Sequence, residues 1–171
     1  MSEELTARRA IEFAVATEEM GARAYSELAE RFSEQEDIAA TFALLARDEK
    51  SHGNQFRALL DRLPPDEGIM TDDERSRYLR AMAMSEFFRG DAGLIGKLEG
   101  AGSLEEALVH VLGFEKATLG YYLAVRDVLG ETEALQSVIR AEKGHIDRLM
   151  KYILTGEKMR GLADLGGEGW T

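Results

Sequence analysis

Two tetrapeptides carry the residue types best suited to chemistry: Glu49-Lys50-Ser51-His52 and Glu142-Lys143-Gly144-His145. Each sets a carboxylate and an imidazole three residues apart, nearly one turn, so on an α-helix both side chains share a face. That face is apolar. Through the first pair it runs Ile38, Phe42, Leu45, Glu49, His52, Phe56, Leu59, Leu63, in alternating steps of four and three, the spacing of a helix packed on other helices. Through the second it runs Leu135, Val138, Glu142, His145, Leu149, Tyr152. Two further glutamates interrupt apolar seams in the same way: Glu18 between Val15 and Ala22, and Glu115 between Val111 and Thr118. A carboxylate in a core is costly unless something compensates it. Glu18, Glu49, His52, Glu115, Glu142 and His145 together point to one compensator, a metal centre.

Four helices are needed to position this set. Helix 1 is expected from about Glu4 to Phe32, and helix 2 from a capping box at Ser33 and Glu36 to Leu63, ahead of Pro64-Pro65. Helix 3 should open at Ser103, with Glu106 as its box partner, and stop at Gly130; helix 4 should follow at once and reach about Leu154. Short loops make each successive pair an antiparallel hairpin. The connection over 64–102 is long enough for a crossover spanning ~40 Å. Thr71-Asp72-Asp73-Glu74 reads as a helix start within it, the helix ending near Phe88; Gly90, Gly93, Gly96, Gly100 and Gly102 mark a loose segment beyond. The expected fold class is therefore all-α: a four-helix bundle over 1–155 with a long, helix-containing crossover. An irregular glycine-rich tail over 156–171 follows, with Trp170 as a small anchor.

The chain repeats itself. A shift of 97 relates Glu18 to Glu115 and Tyr25 to Tyr122; a shift of 93 relates Glu49 to Glu142 and His52 to His145. Matching period and matching chemistry together indicate two copies of one helical hairpin, each giving one lone Glu and one Glu-x-x-His. One Glu from each of two helices and Glu-x-x-His from the other two is the ligand pattern of dinuclear carboxylate sites in helix bundles. The charges balance: four carboxylates against two divalent ions. Mixed nitrogen and oxygen ligands suit iron or manganese, and zinc would also bind.

Composition limits the alternatives. There are 32 acidic and 21 basic residues, a net charge of −11, which argues against nucleic acid and anionic membranes as partners. The absence of cysteine excludes disulfides, iron–sulfur clusters and thiolate zinc sites within the chain. No apolar run approaches the ~20 residues of a membrane span, and Met1 to Arg9 shows no signal-peptide core, so the expected location is cytoplasmic. His110 lies five residues before Glu115, ~140° round the helix, which places it on the surface or in the core, not among the ligands.

These residues resemble the rubrerythrin-like branch of the ferritin-like superfamily. There, helices 1 and 3 carry a ligand Glu followed seven residues later by Tyr, matched by Glu18…Tyr25 and Glu115…Tyr122; helices 2 and 4 carry Glu-x-x-His, matched by both pairs. The resemblance covers all four main helices. It implies a di-iron protein that oxidises Fe(II), or reduces peroxide or dioxygen, with electrons from a separate donor protein. It also implies that Tyr25 and Tyr122 donate hydrogen bonds to ligand carboxylates, where the bare sequence equally allows core aromatics. Asp48, just before Glu49, is implied to orient a ligand histidine, with only Ala141 at the matching place in helix 4. Two departures stand out: rubrerythrin's extra ligand Glu on its third helix is Thr118 here, and the cysteines of an appended rubredoxin site are missing. The six-ligand set is closer to that of bacterioferritin. An oxygenase acting on an organic substrate and a non-enzymatic metal-binding bundle remain alternatives, and exchange of the connector between chains would give a homodimer.

Overall fold

The computed structural model describes residues 6–63, 73–85 and 93–166. All regular structure among them is helical: α1 (Ala7–Arg31), α2 (Glu36–Leu60), α3 (Glu74–Ser85), α4 (Leu94–Gly100), α5 (Leu104–Leu129) and α6 (Glu133–Gly166). The long helices α1, α2, α5 and α6 form the bundle, and α3 and α4 belong to the crossover. None of the described helices is long and apolar enough to cross a membrane.

Local chemistry sets most of the helix starts. Thr6 caps α1, its hydroxyl accepting from Arg9 N–H at 3.1 Å, so the helix begins at Ala7, three residues after the expected start. Ser103 caps α5, accepting from Glu106 N–H at 3.2 Å, while Glu106 reaches back to Gly102 N–H at 2.9 Å. Gly130 ends α5 at φ +84°, a conformation that side chains resist. Thr132 accepts from Leu135 N–H at 3.2 Å and opens α6.

Three expectations need correction. The box at Ser33 and Glu36 does not form: the chain turns once more, Ser33 N–H bonding Glu30 O at 3.3 Å and Gln35 N–H bonding Phe32 O at 2.9 Å. Gln35 then holds the cap position without a side-chain bond, and Glu36 becomes the first helical residue. In the crossover, α3 starts at Glu74 behind Asp73, whose Oδ1 accepts from Ser76 N–H at 2.9 Å; the expected cap Thr71 and the expected end Phe88 lie outside the described residues. The glycine-marked segment contains α4. Leu98 is fully buried there, and the last-turn Arg31 of α1 clamps the segment by donating to Ala101 O at 2.8 Å and Glu99 O at 3.1 Å. Apolar burial outweighs the propensity cost of Gly96, about 1 kcal/mol. Finally, α6 continues to Gly166 where an irregular tail was expected; Glu157, Lys158, Met159 and Arg160 are good helix formers and no proline interrupts them. Trp170 lies outside the described residues.

The pairing of the helices follows from their contacts. Arg8 donates to Leu60 O at 3.4 Å while Glu18 faces His52, so α1 and α2 are antiparallel. Tyr121 O–H donates to Ala10 O at 2.9 Å, and Tyr25 packs edge-on against Phe114, so α5 runs antiparallel to α1. His52 meets Glu142 and Asp48 meets His145, giving the same relation between α2 and α6. Tyr25, Phe42, Phe56, Phe114, Tyr121 and Tyr122 are each below 2% exposed and fill the bundle on both sides of the buried glutamates. Burial of each such ring contributes on the order of 1.5–3 kcal/mol.

Candidate metal centre

The middle of this core is polar. Glu18, Glu49, Glu115 and Glu142 are completely buried, and His52 and His145 are 4% and 3% exposed. All six residues singled out in the sequence converge there. Their ligand atoms form two groups, Glu18, Glu49, His52 and Glu142 on one side and Glu49, Glu115, Glu142 and His145 on the other, the atoms of each lying within 4.8 Å of one another. Glu49 and Glu142 belong to both groups, so they are placed to bridge two ions. Glu18 with His52, and Glu115 with His145, are placed to serve one ion each.

The sequence repeat reappears as near two-fold geometry. His52 Nδ1 lies 3.4 Å from Glu18 and 3.1 Å from Glu142; His145 Nδ1 lies 3.1 Å from Glu115 and 3.4 Å from Glu49. Each imidazole is 4.0 Å from the Glu of its own Glu-x-x-His. The two rings stack at 5.5 Å. The tyrosines cross between repeats: Tyr25 O–H donates to Glu115 Oε1 at 2.5 Å, and Tyr122 O–H donates to Glu18 Oε1. Each tyrosine thus holds the lone carboxylate of the opposite hairpin, leaving the other oxygen aimed inward.

Glu18 Oε2, both oxygens of Glu49, Glu142 Oε1 and His52 Nδ1 are buried without a hydrogen-bond partner. Buried polar atoms are ordinarily paired, and five inward-facing orphans in one cluster fit a donor set made for cations. Electrostatics agree. Burial, then the charges of Glu18, Glu142 and Glu115, pushes the Glu49 carboxyl well above its ordinary value. Burial and Glu115 raise Glu142 to about 7. For His52, burial opposes the charge, but contact with Glu142 and Glu18 wins and raises it to about 10. His145 is raised likewise, against burial, by Glu115. Burial beside the carboxylates raises Tyr25 and Tyr122 further above 10, so both remain protonated donors.

Two positions break the symmetry. Thr118 Oγ1 lies 2.9 Å from Glu142 Oε2 and 3.0 Å from Glu115 O. A shift of 97 maps Thr118 onto Gly21, which has no side chain to offer Glu49; a Cβ there would come within 3.2 Å of Glu49 Oε2 and 3.1 Å of Phe114. Sequence reasoning missed Gly21. A glycine one turn after a seam glutamate, inside a long helix, was the available signal. Asp48 reaches His145, not the histidine of its own helix, with Oδ2 3.4 Å from Nε2. His110 is half-buried and belongs to neither ligand group. A groove of about 500 Å³ between α1 and α2, with Ala22, Ala46, Gly53 and Arg57 among its walls, reaches Glu49 from outside.

Fold and site together define a ferritin-like helical bundle with a carboxylate–histidine site for two metal ions. The family model described as Rubrerythrin matches residues 10–153, and the chain belongs to that family. No curated protein matches the sequence. Among solved structures, a Thermotoga maritima protein presented as a ferritin-like diiron-carboxylate protein superposes with a TM-score of 0.66 at 24% identity, over 88% of this chain and 96% of that one. That likeness shows a shared fold.

Proposed function

We propose that the chain is a di-iron oxidoreductase that oxidises Fe(II), or reduces peroxide or dioxygen with electrons from a separate donor protein. The observation that carries this reading is the pair of overlapping four-residue ligand groups with their orphaned, inward-facing atoms. Glu18 and His52 would hold one ion, Glu115 and His145 the other, and Glu49 and Glu142 would span both. Iron at these positions supplies one-electron redox chemistry to a small oxidant.

The remaining work belongs to the protein. Tyr25 and Tyr122 fix the lone carboxylates by donating to one oxygen each, which orients the other. Before loading, burial and the neighbouring carboxylates favour the protonated form of Glu49, and a cation bound there would displace that proton. Phe56 and Phe114, fully buried beside the tyrosines, keep bulk water from the cluster. The α1–α2 groove offers small molecules a way to Glu49. A homodimer belongs to the same proposal, with Tyr78 on α3 and Val109 on α5 as large apolar side chains left more than half exposed. So does a cytoplasmic location, next to the electron donor.

Anaerobic titration with Fe(II) should saturate at two equivalents per chain, and peroxide should then raise ferric near-ultraviolet absorption. Absence of Fe(II) binding, or bound iron that peroxide leaves unchanged, would reject the proposal. The groove supports a second reading, oxidation of an organic molecule, since its volume is in the range of ligand pockets. Peroxide turnover sustained by a reduced donor alone decides for the first.

A further inference from the structure

We infer that the two halves of the site are unequal by construction, and that Asp48 makes the position served by Glu115 and His145 the tighter of the two. This rests on the di-metal reading and goes beyond it. The ligand atoms themselves are nearly symmetric: corresponding imidazole–carboxylate distances in the two halves differ by no more than 0.3 Å. Any large difference between the halves must therefore come from what stands behind the ligands.

Behind His145 stands Asp48. Its Oδ2 lies 3.4 Å from Nε2, the ring nitrogen turned away from the cluster, while Nδ1 faces Glu115 and Glu49. A carboxylate there fixes the imidazole as the Nε2–H tautomer, frees Nδ1 as the ligand atom, and increases its basicity. Asp48 is itself held, its Oδ1 lying 3.3 Å from the Arg47 guanidinium, so it does not need His145 to stay in place. On α6 the residue that corresponds to Asp48 is Ala141, related to it by the same shift of 93 that relates the proposed ligands. A methyl group cannot accept a hydrogen bond. Both positions are half-buried, so the two sites differ in chemistry and not in exposure.

Loss of such a supporting carboxylate commonly weakens metal binding ~10–100-fold. The two positions should differ by that factor, and the His145 position should fill first. Single-site proteins isolate each half. His52→Gln keeps the His145 position and His145→Gln keeps the His52 position; each is titrated with Zn(II) against a chromophoric chelator, with folding checked by circular dichroism. The His145 position should bind ~10–100-fold more tightly. Asp48→Ala should remove that advantage, Asp48→Asn should restore only part of it, and Ala141→Asp should strengthen the His52 position. A purely structural role for Asp48 would weaken both positions alike and would give Ala141→Asp no gain. Equal affinities in the two single-site proteins, or an Asp48→Ala effect shared by both, overturns the inference. Failure of the unaltered chain to bind Zn(II) at all overturns the di-metal reading instead.

Discussion

Stripped of metal, this protein should lose stability as pH rises, the reverse of ordinary acid denaturation. Glu142 carries the effect most clearly. In the fold its carboxyl titrates at about 7 against an ordinary 4.5, because burial and the charge of Glu115 disfavour the ionised form. The folded chain therefore keeps a proton that the unfolded chain has given up. The stabilisation is fully present below 4.5 and is lost as pH climbs through 7. A difference of this size is worth about 3 kcal/mol. His52 acts in the same direction: raised from 6.5 to about 10, it stabilises the fold below 6.5 and loses that contribution as pH passes 10. For a chain of this length each kcal/mol moves Tm by ~2–4 °C, so Glu142 alone predicts a fall of roughly 6–12 °C between pH 5 and pH 8. Thermal melts of metal-free protein followed by circular dichroism measure it. Glu142→Gln, which imitates the protonated acid, should flatten the fall across pH 5–7 and raise Tm at pH 8. Saturating Zn(II) should abolish it, because binding needs deprotonated ligands. A metal-free Tm that is constant or rising from pH 5 to 8, or a Glu142→Gln variant that keeps the whole fall, would refute this electrostatic reasoning.

Three further outcomes are expected. Tyr122→Phe removes the donor to Glu18, and Tyr25→Phe the donor to Glu115; each should weaken Zn(II) binding about tenfold or more in a chelator competition while the protein stays folded. Thr118→Val leaves Glu142 Oε2 without its partner and should cost about 1–3 kcal/mol in a urea denaturation of the metal-free protein. Gly130→Ala forces a side chain into φ +84°, ψ 176° and should cost a similar 1–3 kcal/mol, with metal affinity unchanged because the loop is remote from the ligands.

The buried cluster of Glu18, Glu49, His52, Glu115, Glu142 and His145 was legible in the sequence because each breaks an apolar seam; a conflict between periodicity and polarity is visible without coordinates. The long helices were legible for the same reason, and Ser103 and Gly130 announced their ends correctly. What stayed hidden was tertiary. Sequence placed Asp48 beside Glu49 but could not show that it reaches across to His145 on α6, nor that each tyrosine serves the opposite hairpin's glutamate. Ser33 misled because one added turn after α1 moved the cap to Gln35. The glycines of the crossover and of α6 misled because propensity was weighed without the burial of Leu98 or the helix-forming run after Gly156. Gly21 was passed over because its meaning lies in Glu49, which approaches it from another helix.

The most direct test of the central claim is anomalous X-ray diffraction from crystals of the metal-loaded protein. Two peaks are expected in each chain, roughly 3.5–4 Å apart. One should lie among Glu18, Glu49, His52 and Glu142, and the other among Glu49, Glu115, Glu142 and His145. A single peak, or metal bound only at the acidic surface with the buried cluster bare, would contradict the account.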